Sequence, residues 1–174
     1  IKITETSQEV EPKKTERKIA GSSFSESIAH WGSRTGLVKS ADIYGTDGKK
    51  IKSFSAYDKV SVKIEFSLPA DIDVSFFSVA FSIKNTEGTD IIVKTTCDEG
   101  IQLHNGEGQI ITFEFVPFLA NGDYYLVVAL ENRENASISY FEYIEGLSYF
   151  KAYTEKKIFG IYDVEASICY EESM

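Results

Sequence analysis

At 174 residues and a net charge of −9, this chain is long enough for one domain with a genuine core, and its acidity sets it against nucleic acid or an anionic membrane as main partner. Hydrophobic residues at 43% and aromatics at 13% stand beside only two cysteines, so the core does not depend on disulfides, and Cys97 and Cys169 read most simply as thiols of a reducing compartment. No apolar run approaches the roughly 20 residues of a membrane-spanning helix, and the N-terminus lacks the apolar stretch of a signal peptide.

Residues 1–27 are polar and charge-mixed; the first 20 carry a net +1, leaving −10 on the remainder. They read as a mobile linker, with a short helix around Glu11–Ile19 as the alternative, and the domain is expected over 28–174. The chain opens on Ile rather than Met and reads as a piece of a larger protein. His30-Trp31-Gly32-Ser33-Arg34 leads into a first strand near Leu37–Tyr44. The turn Gly45-Thr-Asp-Gly48 follows, because Asp-Gly suits hairpin geometry with positive φ. Ile51–Phe54 is a short strand.

From Lys59 onward the chain alternates. Val60, Val62, Ile64 and Phe66 interleave with Ser61, Lys63 and Glu65, and successive strand side chains point to opposite faces. Pro69–Val74 crosses to Phe76–Asn85, where Phe77, Val79, Phe81 and Ile83 repeat the pattern. A hairpin at Thr86-Glu-Gly88-Thr leads to a strand at Asp90–Thr96. After a glycine-rich loop at Asp98–Gly108 come strands at Gln109–Phe115 and Asp123–Glu131, then a polar loop at Asn132–Ser139. Late strands are expected near Leu147–Tyr153 and Ile161–Tyr170. The sum is an all-β, immunoglobulin-like or jelly-roll sandwich of two antiparallel sheets with about eight or nine strands.

Catalytic signatures are missing. Gly45-Thr-Asp-Gly48-Lys49-Lys50 only echoes a phosphate loop: its glycines are too close, Lys50 stands where Ser or Thr is needed, and no helix follows. Two histidines and two cysteines spread over four elements give no zinc spacing. Asp71, Asp73, Asp98 and Glu99 could meet calcium, but loop acids of an acidic protein are ordinarily just solvated. There is no Gly-x-Ser-x-Gly elbow, and neither His30 nor His104 has a compelling sequence neighbour. The sequence therefore supplies no catalytic residue, metal site or cofactor site. If Tyr124, Leu126 and Val128 face inward, Tyr125, Val127 and Ala129 face outward, as do Ser78, Ala80 and Ser82. A face of small residues with an aromatic edge forms a shallow groove of the kind that sugars occupy, unless a sheet, a loop or a second copy covers it.

The order of signals is itself familiar. Trp31-Gly32 before the first strand, Ile43 with the Asp47-Gly48 turn, Phe77-x-Val-x-Phe-x-Ile83 running to Glu87-Gly88, and Thr95-Thr96 come first. Gly122-Asp-Tyr124-x-Leu126-x-Val128, the Phe150 strand and Gly160-Ile-x-Asp163-Val complete the set. Together they resemble the C-terminal domain of the ATP-binding subunit of polysaccharide ABC transporters (Wzt type), over about Ile28–Ile168. The resemblance implies a non-enzymatic cytoplasmic sandwich fused behind an ATPase domain and held at the inner membrane by a transmembrane transporter subunit. It implies recognition of the non-reducing end of a lipid-linked O-antigen polysaccharide, often by a terminal modification. It also implies homodimers that exchange a terminal strand, for which Ile161–Tyr170 is the candidate, with residues 1–27 as tether.

On that basis Trp31 is the first candidate stacking platform, with a plug at the sandwich end as its structural alternative, and Tyr125 is the second. Arg34 would pair bidentately with an anionic cap such as a phosphate, and Ser78, Ser82 and Thr95 would supply hydroxyl partners. Three other classes stay open. One is an adhesion or spacer domain of a secreted protein, which a Cys97–Cys169 disulfide would favour. The others are an internal-repeat lectin and a polysaccharide lyase or hydrolase with a raised carboxylate pKa in a cleft.

Overall fold

The computed structural model describes residues 13–18 and 25–170. Ten strands lie within them: β1 (Lys13–Lys18), β2 (Ser25–Trp31), β3 (Val38–Tyr44), β4 (Ser53–Ser55), β5 (Val60–Leu68), β6 (Phe77–Asn85), β7 (Asp90–Thr95), β8 (Gly106–Phe115), β9 (Gly122–Asn132) and β10 (Ser139–Tyr153). A large sheet runs β1-β2-β10-β9-β6-β7, and a small one runs β3-β5-β8. Neighbours are antiparallel except for short β4, which pairs parallel with the end of β10. The chain is an all-β sandwich, as the alternation requires.

The inward residues of three strands form most of the core. Val60, Val62, Ile64, Phe66 and Leu68 of β5 face Phe77, Val79, Phe81 and Ile83 of β6 and Tyr124, Leu126, Val128 and Leu130 of β9, all buried. Aromatic rings lock the sheets together. Phe81 lies 4.9 Å from Phe113 and 5.4 Å from Phe115 across the sandwich, and Phe66 stacks on Phe77 at 5.9 Å. Burying each such side chain contributes about 1.5–3 kcal/mol relative to leaving it in water. At the β3–β4 turn Gly48 adopts φ +75°, as the Asp-Gly signal requires, and Gly48 N–H donates to the Gly45 carbonyl at 3.0 Å.

Within the segment 1–27, β1 and the start of β2 pair from Lys13 opposite His30 to Lys18 opposite Ser25; the described part of the alternative helix at Glu11–Ile19 is strand over Lys13–Lys18, and the rest of 1–24 lies outside the described residues. Two later expectations are corrected. The strand expected near Leu147–Tyr153 is one 15-residue strand beginning at Ser139. Its first half escapes a period-two reading because Glu142 points inward, and because a bulge between Glu145 and Ser148, with Gly146 at φ +80°, shifts the phase.

The strand expected over Ile161–Tyr170 is not formed in the single chain. Only a bridge between Leu119 and Tyr162 is made, flanked by Ala120 N–H to the Ile161 carbonyl and Asp163 N–H to the Phe118 carbonyl. Beyond it Val164, Ile168 and Tyr170 are exposed. The alternation that signalled a strand is present there, but this chain offers it no ladder.

Candidate functional site

The outer face of the large sheet is organised by one cross-strand row. Trp31 on β2 stands opposite Tyr143 on β10, Tyr143 opposite Ala129 on β9, Ala129 opposite Ala80 on β6, and Ala80 opposite Thr95 on β7. Directly opposed residues share a face, so the row places two large rings beside two methyl groups. The next row repeats the contrast with Glu145, Val127, Ser82 and Val93. Large side chains on β2 and β10 and small ones on β9 and β6 make a trough. It has a volume of about 150 Å³, with Ala80, Ser82, Val127 and Ala129 in its floor.

Its aromatic wall is a cluster of three rings. Trp31 stacks on Tyr143 at 4.9 Å and meets Tyr140 edge-on at 5.2 Å, while Tyr140 and Tyr143 meet edge-on at 5.4 Å. Burial raises the Tyr143 hydroxyl above its ordinary pKa, against the opposing effect of Lys84, whose Nζ donates to it at 3.2 Å. Lys84 also approaches Glu145 at 3.5 Å. Burial alone would lower the Lys84 pKa, but the Tyr143 bond and the Glu145 and Asp90 charges outweigh it and raise the value. The opposite side carries Asp90, which accepts the Ser82 hydroxyl, and Val93 stands on the same rim. Glu131 closes one end, gripped by Nε and Nη2 of Arg133, each at 2.8 Å.

The residues singled out from the sequence fall into three groups. Ser82 lines the trough, and Trp31 backs its aromatic wall. Ser78 and Thr95 lie on the same face but are buried and hydrogen-bond each other at 2.5 Å, with Thr96 alongside. Tyr125 lies further along the face, where its hydroxyl donates to Glu145 at 2.8 Å and its ring leans on Tyr149. Burial and the Glu145 contact push its pKa well up. Arg34 stands elsewhere, paired with Asp71 at 2.6 Å. Tyr140, Tyr143, Asp90 and Glu131 were missed. The Tyr140-x-x-Tyr143 pair sits in the half of β10 whose inward Glu142 hides the strand, although its aromatic spacing was there to be read.

What fixes the wall is the β2–β3 connection. Gly32 has φ +143°, and a Cβ there would lie 2.2 Å from the Phe141 carbonyl oxygen, so only glycine lets the chain press against β10 directly after Trp31. Glu142, fully buried, then accepts Gly36 N–H at 2.6 Å and Val38 N–H at 2.7 Å, with His30 Nε2 at 2.6 Å. His30 thus has a structural partner that sequence proximity could not show.

The chain belongs to the Wzt C-terminal domain family, whose model matches residues 28–164. It is therefore a Wzt-type domain of ABC transporters. Among solved structures it is similar to the crystal structure of the C-terminal domain of wzt, at 16% identity and a TM-score of 0.68, over 83% of this chain and 89% of that one. No curated protein matches it in sequence. Among the described residues no helix is long and apolar enough to cross a membrane.

Proposed function

We propose that this domain is a non-catalytic reader of a polysaccharide chain end. The trough binds the non-reducing terminus of a lipid-linked O-antigen, and the domain presents that terminus for export by the transporter to which its ATPase-bearing parent belongs. The observation that carries this reading is the Trp31–Tyr143–Ala129–Ala80 row. Sugar C–H faces stack on aromatic rings while hydroxyls reach Ser82, Asp90 and the tyrosine hydroxyls. At about 150 Å³ the trough is smaller than the roughly 300–1,000 Å³ of pockets for drug-sized ligands, which suits one terminal residue better than a chain segment. Discrimination would come from hydrogen-bonding groups left unpaired when the terminal group is absent.

The same reading places the domain on the cytoplasmic side of the inner membrane, as a homodimer. Exchange of Ile161–Tyr170 would give its exposed alternating residues the ladder that one chain lacks; a monomer by light scattering at high concentration would overturn that part.

Calorimetric titration with O-polysaccharide from the source strain, intact and stripped of its terminal group, tests the reading. Binding of the intact form alone supports it. Equal binding of both would make the domain an internal-repeat lectin, and binding of neither would favour a structural domain.

A further inference from the structure

Resting on that reading, we infer that the trough accepts an uncharged or ammonium-bearing terminal sugar and rejects an anionic cap, with Asp90 as the deciding side chain. Among the described residues, two carboxylates, Asp90 and Glu131, line the trough, and no basic side chain does. Two cations beside it are committed. Arg133 grips Glu131 through two nitrogens, and Lys84 is held between the Tyr143 hydroxyl and Glu145. Arg34, the residue the sequence offers for a phosphate, is paired with Asp71 outside the trough.

Asp90 differs from the other acids. Among the described residues its carboxylate takes one side-chain hydrogen bond, from Ser82, and no lysine or arginine lies within ion-pair distance, Lys84 acting on it only through longer-range charge. It stands at the trough with acceptor capacity to spare, suited to a sugar hydroxyl or an ammonium and opposed to a phosphate or carboxylate. The aromatic wall adds to the same preference by independent physics. The faces of Tyr140 and Tyr143, which line the trough, carry negative quadrupole density, which favours polarised C–H groups and cations over anions. Among the described residues neither backbone N–H groups at a helix start nor an arginine fork lines the trough to take an anion, the usual devices for holding one.

An array of immobilised simple glycosides tests this at physiological salt. Its termini are neutral hexoses, hexosamines with a free amine, hexose 6-phosphates and hexuronic acids, probed with the full chain and with Asp90→Asn. Neutral or amine-bearing termini should bind at least about tenfold better than phosphorylated and uronic ones, and Asp90→Asn should narrow that gap to about threefold or less. Anionic termini bound as well as neutral ones would overturn the inference while leaving the chain-end reading in place. An unchanged gap in Asp90→Asn would remove Asp90 as the discriminator. Silence toward every terminus would remove the chain-end reading, and this inference with it.

Discussion

The indole of Trp31 stacks on the Tyr143 ring with centroids 4.9 Å apart and planes 26° from parallel, joining β2 to β10 on the outer face of the large sheet. Trp31 is half-buried, and Tyr143, with Tyr140, lines the trough in front of it. Trp31 is therefore not a plug in the sandwich core, and on the proposed reading it holds in place a ring that a ligand would meet.

The trough variants should separate by position. Tyr143→Ala removes a wall and should weaken glycan binding at least about fivefold, consistent with about 1 kcal/mol for an aromatic contact. Arg34→Ala breaks an exposed pair with Asp71, and such pairs contribute about 0–1 kcal/mol, so binding should change by less than about twofold. Calorimetry on both, with thermal unfolding to confirm the fold, makes the comparison; an Arg34→Ala loss as large as that of Tyr143→Ala would contradict the assigned geometry.

Two glycines near the β2–β3 connection should behave differently. Gly32→Ala puts a methyl 2.2 Å from the Phe141 carbonyl oxygen, so backbone must move, and a loss of about 3 kcal/mol or more is expected. Gly36 has φ +93°, but a methyl added there would meet open space, so Gly36→Ala should cost only the conformational penalty of about 1–2 kcal/mol. Urea unfolding of the pair gives the answer, and equal losses would show that conformation rather than the close approach to β10 sets the requirement.

Glu142 is the acid on which that connection rests. Glu142→Ala removes the fully buried acceptor of the part-buried Gly36 and Val38 N–H groups and should destabilise the domain by about 1–3 kcal/mol. Glu142→Gln keeps the shape and one carbonyl acceptor, so its loss should be smaller. Denaturant midpoints that rank the two variants the other way would show that packing, not hydrogen bonding, governs the site.

Acid should act partly through Asp42. Burial alone would raise this carboxyl, but the Ser148 hydroxyl at 2.6 Å, the Ile43 N–H and the Lys52 and Lys50 charges outweigh it and hold the pKa below its ordinary value. A lowered folded-state pKa contributes stability that is complete above the unfolded value and fades as pH falls through the folded one. The stability gap between the parent chain and Asp42→Asn should therefore be constant near neutrality and shrink below about pH 4. Thermal unfolding across that range reads it, and a gap that widened in acid would reverse the assignment.

The sequence was most legible where one face of a strand is wholly apolar. Val60 to Leu68, Phe77 to Ile83 and Tyr124 to Leu130 announce their strands because every second residue is buried. The small outward residues Ala80, Ser82, Val127 and Ala129 could be placed by the same phase, and they do floor the trough. Legibility failed where a polar group is buried for a reason that lies far along the chain. Glu142 faces inward because amides more than 100 residues earlier need an acceptor, and that masks the strand bearing Tyr140 and Tyr143. Ser78 and Thr95 have the chemistry of ligand partners, but only the β6–β7 pairing brings them within 2.5 Å of each other. Arg34 is similar: its carboxylate partner lies 37 residues away, on the crossing between the sheets.

The most direct measurement uses the fact that Trp31 is the only tryptophan in the chain. Its fluorescence reports on the trough wall alone, so the protein should be titrated with intact O-polysaccharide from the source strain while that emission is followed. A saturable change in emission that tracks the calorimetric binding curve, and that is absent with the end-stripped glycan, is the expected result. Calorimetric binding that leaves the Trp31 emission unmoved would place the glycan elsewhere on the domain and contradict the account.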